Sequence, residues 1–230
     1  MLDAMRADVC GNETGVPAMS WVEDEKASLV ATLRAVAPEA DTLCEGWDVR
    51  RLLAHLVQRE QGPVAMIRDS IANRPPGQEP GLSRLADRAG TPQGYAELVS
   101  RFDAGPPPWA PMGWAGGLIN LLEYAIHHED IRRAGPASAE PRVLPAGQQQ
   151  AVWKQAGLFA RLGFRSAPVG VQLTTPAGAS RVAKRGPGVT LTGEPVELAL
   201  YASGRRAPAR VTVTGAPDAV ESFTQWAAAA

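Results

Sequence analysis

The feature that most constrains the fold is a change of hydrophobic period near residue 165. Before it, apolar residues recur at helical spacing in four stripes. These are Val22, Leu29, Val30, Leu33 and Val36; Val49, Leu52, Leu53, Leu56 and Val57; Tyr95, Leu98, Val99 and Phe102; and Ile119, Leu122 and Ile126. A fifth helix is expected over about 146–163, with Val152, Trp153, Ala156, Phe159 and Ala160. Beyond it, 169–175, 181–184 and 189–192 alternate at a period of two and read as strands. Val189-Thr-Leu-Thr-Gly-Glu-Pro195 is echoed by Val211-Thr-Val-Thr-Gly-Ala-Pro217, each a strand, a Thr-Gly turn and a proline that opens a helix. One layer of helices cannot satisfy both periods. The fold class is α plus α/β in two domains, a four-helix bundle followed by a small α+β domain.

Local signals set the boundaries. Residues 1–18 read as a disordered leader, and Met19 is an alternative start to Met1. Ser20-Trp-Val-Glu23 reads as a capping box opening helix one. Asp48 is the expected N-cap of helix two, which is allowed to run on through Met66 and Ile71. Residues 73–90, rich in Pro, Gly and Arg, read as a long loop, and Thr91-Pro92 as the cap and first residue of helix three. Helix four is expected over about 114–134. With the linker Gly135–Pro141, the domains become a bundle over 19–136 and an α/β unit over 142–230.

Charge supports the cut. The 230 residues carry a formal net charge of −1, but residues 1–137 hold 13 basic and 19 acidic side chains, and residues 138–230 hold 10 and 5. A near-neutral chain with 6% aromatic residues has no nucleic-acid footprint. No apolar run approaches the ~20 residues of a membrane span. Asp3, Arg6, Asp8 and Glu13 leave no apolar signal-peptide core. Cys10 and Cys44 make no CxxC and no disulfide framework, which suits a reducing cytoplasm.

All three histidines lie in the helical part. At about 100° per residue, with Ile119 at 0°, Glu123 falls near 40°, His127 near 80°, Asp130 near 20° and His128 near 180°. Glu123 and His127 thus share one face at i, i+4, a chelating span for a divalent ion, and His128 points away. His55, on the flank of helix two beside Leu52 and Arg59, is the third candidate ligand. A buried Glu–His hydrogen-bonded pair explains the same spacing. Asp130 is placed to orient the His127 imidazole, or else to pair with Arg133 or Arg101.

The segment Cys44-Glu-Gly-Trp-Asp-Val-Arg-Arg-Leu-Leu-Ala-His55-Leu resembles the entry to helix two of the DinB-like metal-binding bundles. Together with Glu123-Tyr-Ala-Ile-His127-His-Glu-Asp130-Ile-Arg-Arg133, it resembles the actinobacterial, mycothiol-dependent maleylpyruvate isomerase-like subgroup. Gly204-Arg205 matches a recurring motif of that subgroup's sterol-carrier-like C-terminal domain. The resemblance implies a divalent metal, Zn²⁺ best matching the donor set, on His55, Glu123 and His127. It also implies mycothiol or another low-molecular-weight thiol, which the metal holds as a nucleophilic thiolate.

The expected partners are that thiol and an electrophilic or carboxylate substrate, in a metal-dependent isomerase or S-transferase. Arg205 is the candidate for holding a substrate carboxylate, against a plain reading as an exposed arginine after a helix cap. Cys44 reads as a small packing residue. Two other readings stay open: a non-catalytic metal-ordered module that binds a small molecule, and a structural bundle with a buried His/Glu pair.

Overall fold

In the computed structural model, residues 18–62, 79–106, 117–135 and 139–229 are described. Helix α1 spans Ala18–Ala35, α2 Val49–Gln61, α3 Pro80–Arg88, α4 Pro92–Asp103, α5 Gly117–Arg132 and α6 Ala146–Gly163. Strands β1 (Gly170–Thr174), β2 (Ser180–Lys184) and β3 (Gly188–Thr192) follow, then α7 (Pro195–Ala202), β4 (Thr212–Gly215) and α8 (Pro217–Ala229). The expected order of helices, then sheet, holds. No described helix is long and apolar enough to cross a membrane.

The caps that the sequence marks are made. Asp48 accepts a hydrogen bond from the Arg51 amide at 2.8 Å, and Thr91 accepts one from the Gly94 amide at 3.1 Å. Ser20 is not a cap: it lies inside α1, which the helix-favouring Ala18 and Met19 extend past it. The stretch read as one long loop contains α3. Pro80 opens that helix, and its buried Leu82 and Ala86 sit i, i+4 against α2, a short stripe that the Pro- and Arg-rich composition conceals. Helix α2 ends at Gln61, and its suggested extension through Met66 and Ile71 lies outside the described residues, as do residues 1–17 of the leader and 136–138 of the linker; Ala18, read as the leader's last residue, belongs to α1.

Leu29, Leu33, Leu52, Leu53, Leu56, Val99 and Phe102 build the bundle core. Helix α5 departs from an ordinary amphipathic pattern. Tyr124 and Ile131 face that core, while Leu121, Leu122 and Ile126 pack on Val152 of α6 and on Val196 and Leu200 of α7. It is therefore buried on both sides, and its polar groups are met by neighbours from both halves of the chain, His128 by Glu25 and Asp130 by Arg205.

The sheet order is β2-β1-β3-β4, with β1 and β3 parallel and the outer pairings antiparallel. After the β1–β2 hairpin the chain crosses beneath the start of β1 to reach its other edge. The crossing strands come so close that a Cβ on Gly170 would strike the Gly186 carbonyl, and one on Gly188 the Gly170 carbonyl. Gly186 adopts a φ of +120°, which L side chains avoid. The glycines of 186–188 thus serve a backbone crossing.

Candidate metal centre

The site lies where α2 meets α5, closed by two loops. Position i+7 from the Asp48 cap places His55 in the middle of α2, and its ring lies edge-on to that of His127, centroids 5.3 Å apart. Trp47 also packs on His55, with ring centroids 5.4 Å apart. On α5, His127 Nε2 is 3.3 Å from Glu123 Oε2. Candidate ligand atoms of His55, Glu123 and His127 all lie within 4.8 Å of one another. The three residues picked from the sequence are brought together, from two helices.

Asp130 stands on the far side of His127. Its Oδ2 is 2.9 Å from His127 Nδ1, so an Nδ1–H donated there leaves the Nε2 lone pair facing Glu123 and His55. Arg133 and Arg101 are not its partners: Arg133 binds Glu129 and Glu197, and Arg101 binds Gln61. The Asp130 side chain is instead gripped by Arg205, whose Nε and Nη2 each donate to one carboxylate oxygen at 2.8 Å. Arg205 Nη1 donates to the Ser203 carbonyl. Its side chain is only 20% exposed, so the reading as a free surface arginine fails: the left-handed turn at Gly204 swings it inward onto α5. The fork expected to meet a substrate carboxylate already holds a protein carboxylate.

Cys44 belongs to the same cluster, which the sequence reading missed. Its S–H donates to Asp130 Oδ2 at 3.2 Å, it accepts from Arg205 Nη2 at 3.1 Å, and it lies 4.0 Å from His127 Nδ1. The loop carrying it is pinned by the Leu43 amide to the Asp130 carbonyl at 3.0 Å. Cys44 opens the same motif that carries His55, and this was the available signal. His128 does point away from the centre, as the wheel expects, and is buried between Glu25 and Thr32, at 2.9 and 2.7 Å.

The electrostatics favour a cation at this spot. Burial, with the charges of His127 and Arg59 adding to it, pushes the His55 imidazole down to about 4, so it is neutral and free to donate a lone pair. Burial works to raise the Glu123 carboxyl, but His127 and Arg59 outweigh it and bring it to about 2. Burial likewise opposes ionisation of Asp130, yet His127 and Arg205 hold it at about 2. Burial disfavours a charged His127, and the bonds to Asp130, Cys44 and Glu123 overcome it, raising its proton affinity well above the ordinary range. Two imidazoles and a carboxylate, flanked by ionised oxygens, are a donor set that fits a divalent ion of the zinc type.

Residues 22–132 match the family model of the mycothiol maleylpyruvate isomerase N-terminal domain. A crystal structure of mycothiol-dependent maleylpyruvate isomerase superposes with a TM-score of 0.55 at 16% identity, and one of a histidine-to-alanine mutant with 0.57 at 15%. Each covers 86% of this chain and 93% of the other. No curated protein sequence matches. In its helical part, residues 22–132, the chain is thus similar to the mycothiol maleylpyruvate isomerase N-terminal domain, and the two solved structures share its fold.

Proposed function

We propose that the protein is a divalent-metal-dependent, thiol-dependent isomerase or S-transferase. Its metal ligands are His55, Glu123 and His127, and its substrates are a low-molecular-weight thiol, mycothiol in the first instance, and an electrophilic small carboxylic acid. The observation that carries this reading is the convergence of the three donors from α2 and α5. The family similarity of residues 22–132 and the fold of the isomerase structures support it. A Zn²⁺ ion bound there supplies positive charge that favours the thiolate over the thiol near neutral pH.

The chain's own residues do the rest. Asp130 fixes the tautomer and tilt of His127, and Arg205 fixes Asp130 through both oxygens, so Arg205 is a positioning residue. Trp47 packs against the His55 ring, centroids 5.4 Å apart, and limits the positions that ring can take. Addition of the thiolate to an electron-poor double bond frees rotation about that bond. Expulsion of the thiolate from the carbanionic adduct then restores the double bond and completes an isomerisation, whereas protonation of that adduct completes a transfer. Free Cys44 and a thiol cofactor are both compatible with a reducing cytoplasm. The α/β part over 142–230 is read as a separate domain that holds Arg205 against the bundle.

The test is elemental analysis of protein purified without an affinity tag, followed by assay with mycothiol and an unsaturated keto acid. One metal per chain, lost in His55→Ala and Glu123→Ala, and turnover that needs added thiol are expected. Metal without turnover would leave a binding module. No metal, and a melting temperature indifferent to chelator, would leave a structural pair.

A further inference from the structure

Because Arg205 is committed to Asp130 and to the Ser203 carbonyl, the substrate carboxylate of the proposed reaction needs another cation. Arg59 is one turn beyond His55 on the same face of α2. Its Nη1 lies 3.6 Å from Glu123 Oε1, an ion pair longer than a hydrogen bond. Its Nε is buried and finds no acceptor among the described residues, although the side chain is only 12% exposed. A buried guanidinium donor without an acceptor is costly, and an incoming anion removes that cost. The two arginines at the centre therefore differ: one has its fork filled by a protein carboxylate, and the other keeps a buried Nε with no acceptor among the described residues, beside the ligand set.

We propose that Arg59 is the substrate-binding arginine, its Nε edge taking a carboxylate of a small unsaturated acid next to the metal ligands. The proposal rests on the reading above. A carboxylate held there lies alongside Glu123 and His55, which sets the electrophilic carbon of the same small molecule beside the metal position. A guanidinium serves this better than an ammonium, because two parallel N–H donors fix the plane of the carboxylate and with it the face of the double bond. If Arg59 is only the counter-ion of Glu123, its loss weakens metal binding and leaves substrate binding alone.

The experiment is calorimetric titration of the full-length, metal-loaded protein with maleate as a dicarboxylate probe, with metal content measured in the same samples. Arg59→Met should weaken maleate binding about 10- to 100-fold, the loss expected for a charge-assisted hydrogen bond. It should keep its metal, and Arg59→Lys should fall in between. Arg205→Lys should change metal retention more than it changes maleate binding. Unchanged maleate affinity in Arg59→Met, or no maleate binding by the wild type, overturns the proposal. Absence of metal from the wild type overturns the metal reading instead, and the comparison of wild type with Arg59→Met still judges Arg59.

Discussion

Arg205 and Asp130 form a two-pronged ion pair, with both carboxylate oxygens 2.8 Å from guanidinium nitrogens and the carboxylate wholly buried. They are 75 residues apart, one on the turn after α7 and the other one turn beyond His127 on α5. The pair ties the basic C-terminal part to the orientation of a candidate metal ligand. Replacing Arg205 with Lys keeps a charge but loses the fork, so the two bonds that position 205 makes to Asp130 are reduced to one at most and His127 has a looser partner. Metal affinity should fall about 10- to 100-fold, the usual cost of losing a group that orients a ligand. Competition with a fluorescent chelator measures it. Unaltered affinity would mean that His127 is oriented by α5 alone.

Cys44 touches Asp130 and Arg205 but lies on the Nδ1 side of His127, away from Glu123. It is therefore placed to support the cluster and not to serve as the reacting thiol. Cys44→Ser should retain turnover and retain its full dependence on added thiol, at a cost of about 1 kcal/mol in unfolding free energy for a weakened buried hydrogen bond. Thiol-independent turnover in the wild type that disappears in Cys44→Ser would assign the nucleophile to the chain itself. Denaturant titration and a thiol-omission assay read the two effects.

What was legible in the sequence is what local spacing controls. Glu123, His127 and Asp130 share one helix, and the i, i+3 and i, i+4 offsets place them together before any tertiary contact forms. His55 was found by its type and its motif. What it meets depends on how α2 packs against α5, and no periodicity encodes that. Cys44 and Arg205 lie 86 and 75 residues from Asp130, so nothing local marks their convergence. Arg59 was noted as a flank residue beside His55, and only the filled fork of Arg205 distinguishes it. Helix α3 was concealed because proline, glycine and arginine are frequent across 73–90, while its burial is carried by two residues, Leu82 and Ala86.

The crossing beneath β1 should be intolerant of any side chain. A Cβ on Gly188 would lie within bonding range of the Gly170 carbonyl, and backbone cannot move aside as a flexible side chain does. Gly188→Ala should destabilise the protein by about 1–3 kcal/mol or more, as a forced backbone shift does in a packed region. The parallel β1–β3 register that begins at Gly170 and Gly188 should loosen with it. Gly178, at φ +86° with open space around it, is the control: Gly178→Ala strains only its own turn. Thermal unfolding of the two variants should rank Gly188→Ala well below Gly178→Ala.

Acid should unfold the protein through Glu25. This carboxylate is buried on α1, where it accepts from Gln148 at 2.6 Å and pairs with His128 at 2.9 Å and Arg142 at 2.8 Å. Burial tends to raise its proton affinity, but His128 and Arg142 prevail and hold it below its ordinary value of 4.5. A carboxyl lowered on folding adds stability that is complete above pH 4.5 and is lost as pH falls through its folded value. The melting temperature should therefore be level near neutrality and drop on acidification below about 4.5. Glu25→Gln removes one charge from a buried pair, at a cost of about 3–5 kcal/mol near neutral pH. Its acid limb should be shallower than that of the wild type, since the group that titrates is gone. Parallel acid limbs in calorimetric scans of the two proteins would place the acid sensitivity elsewhere.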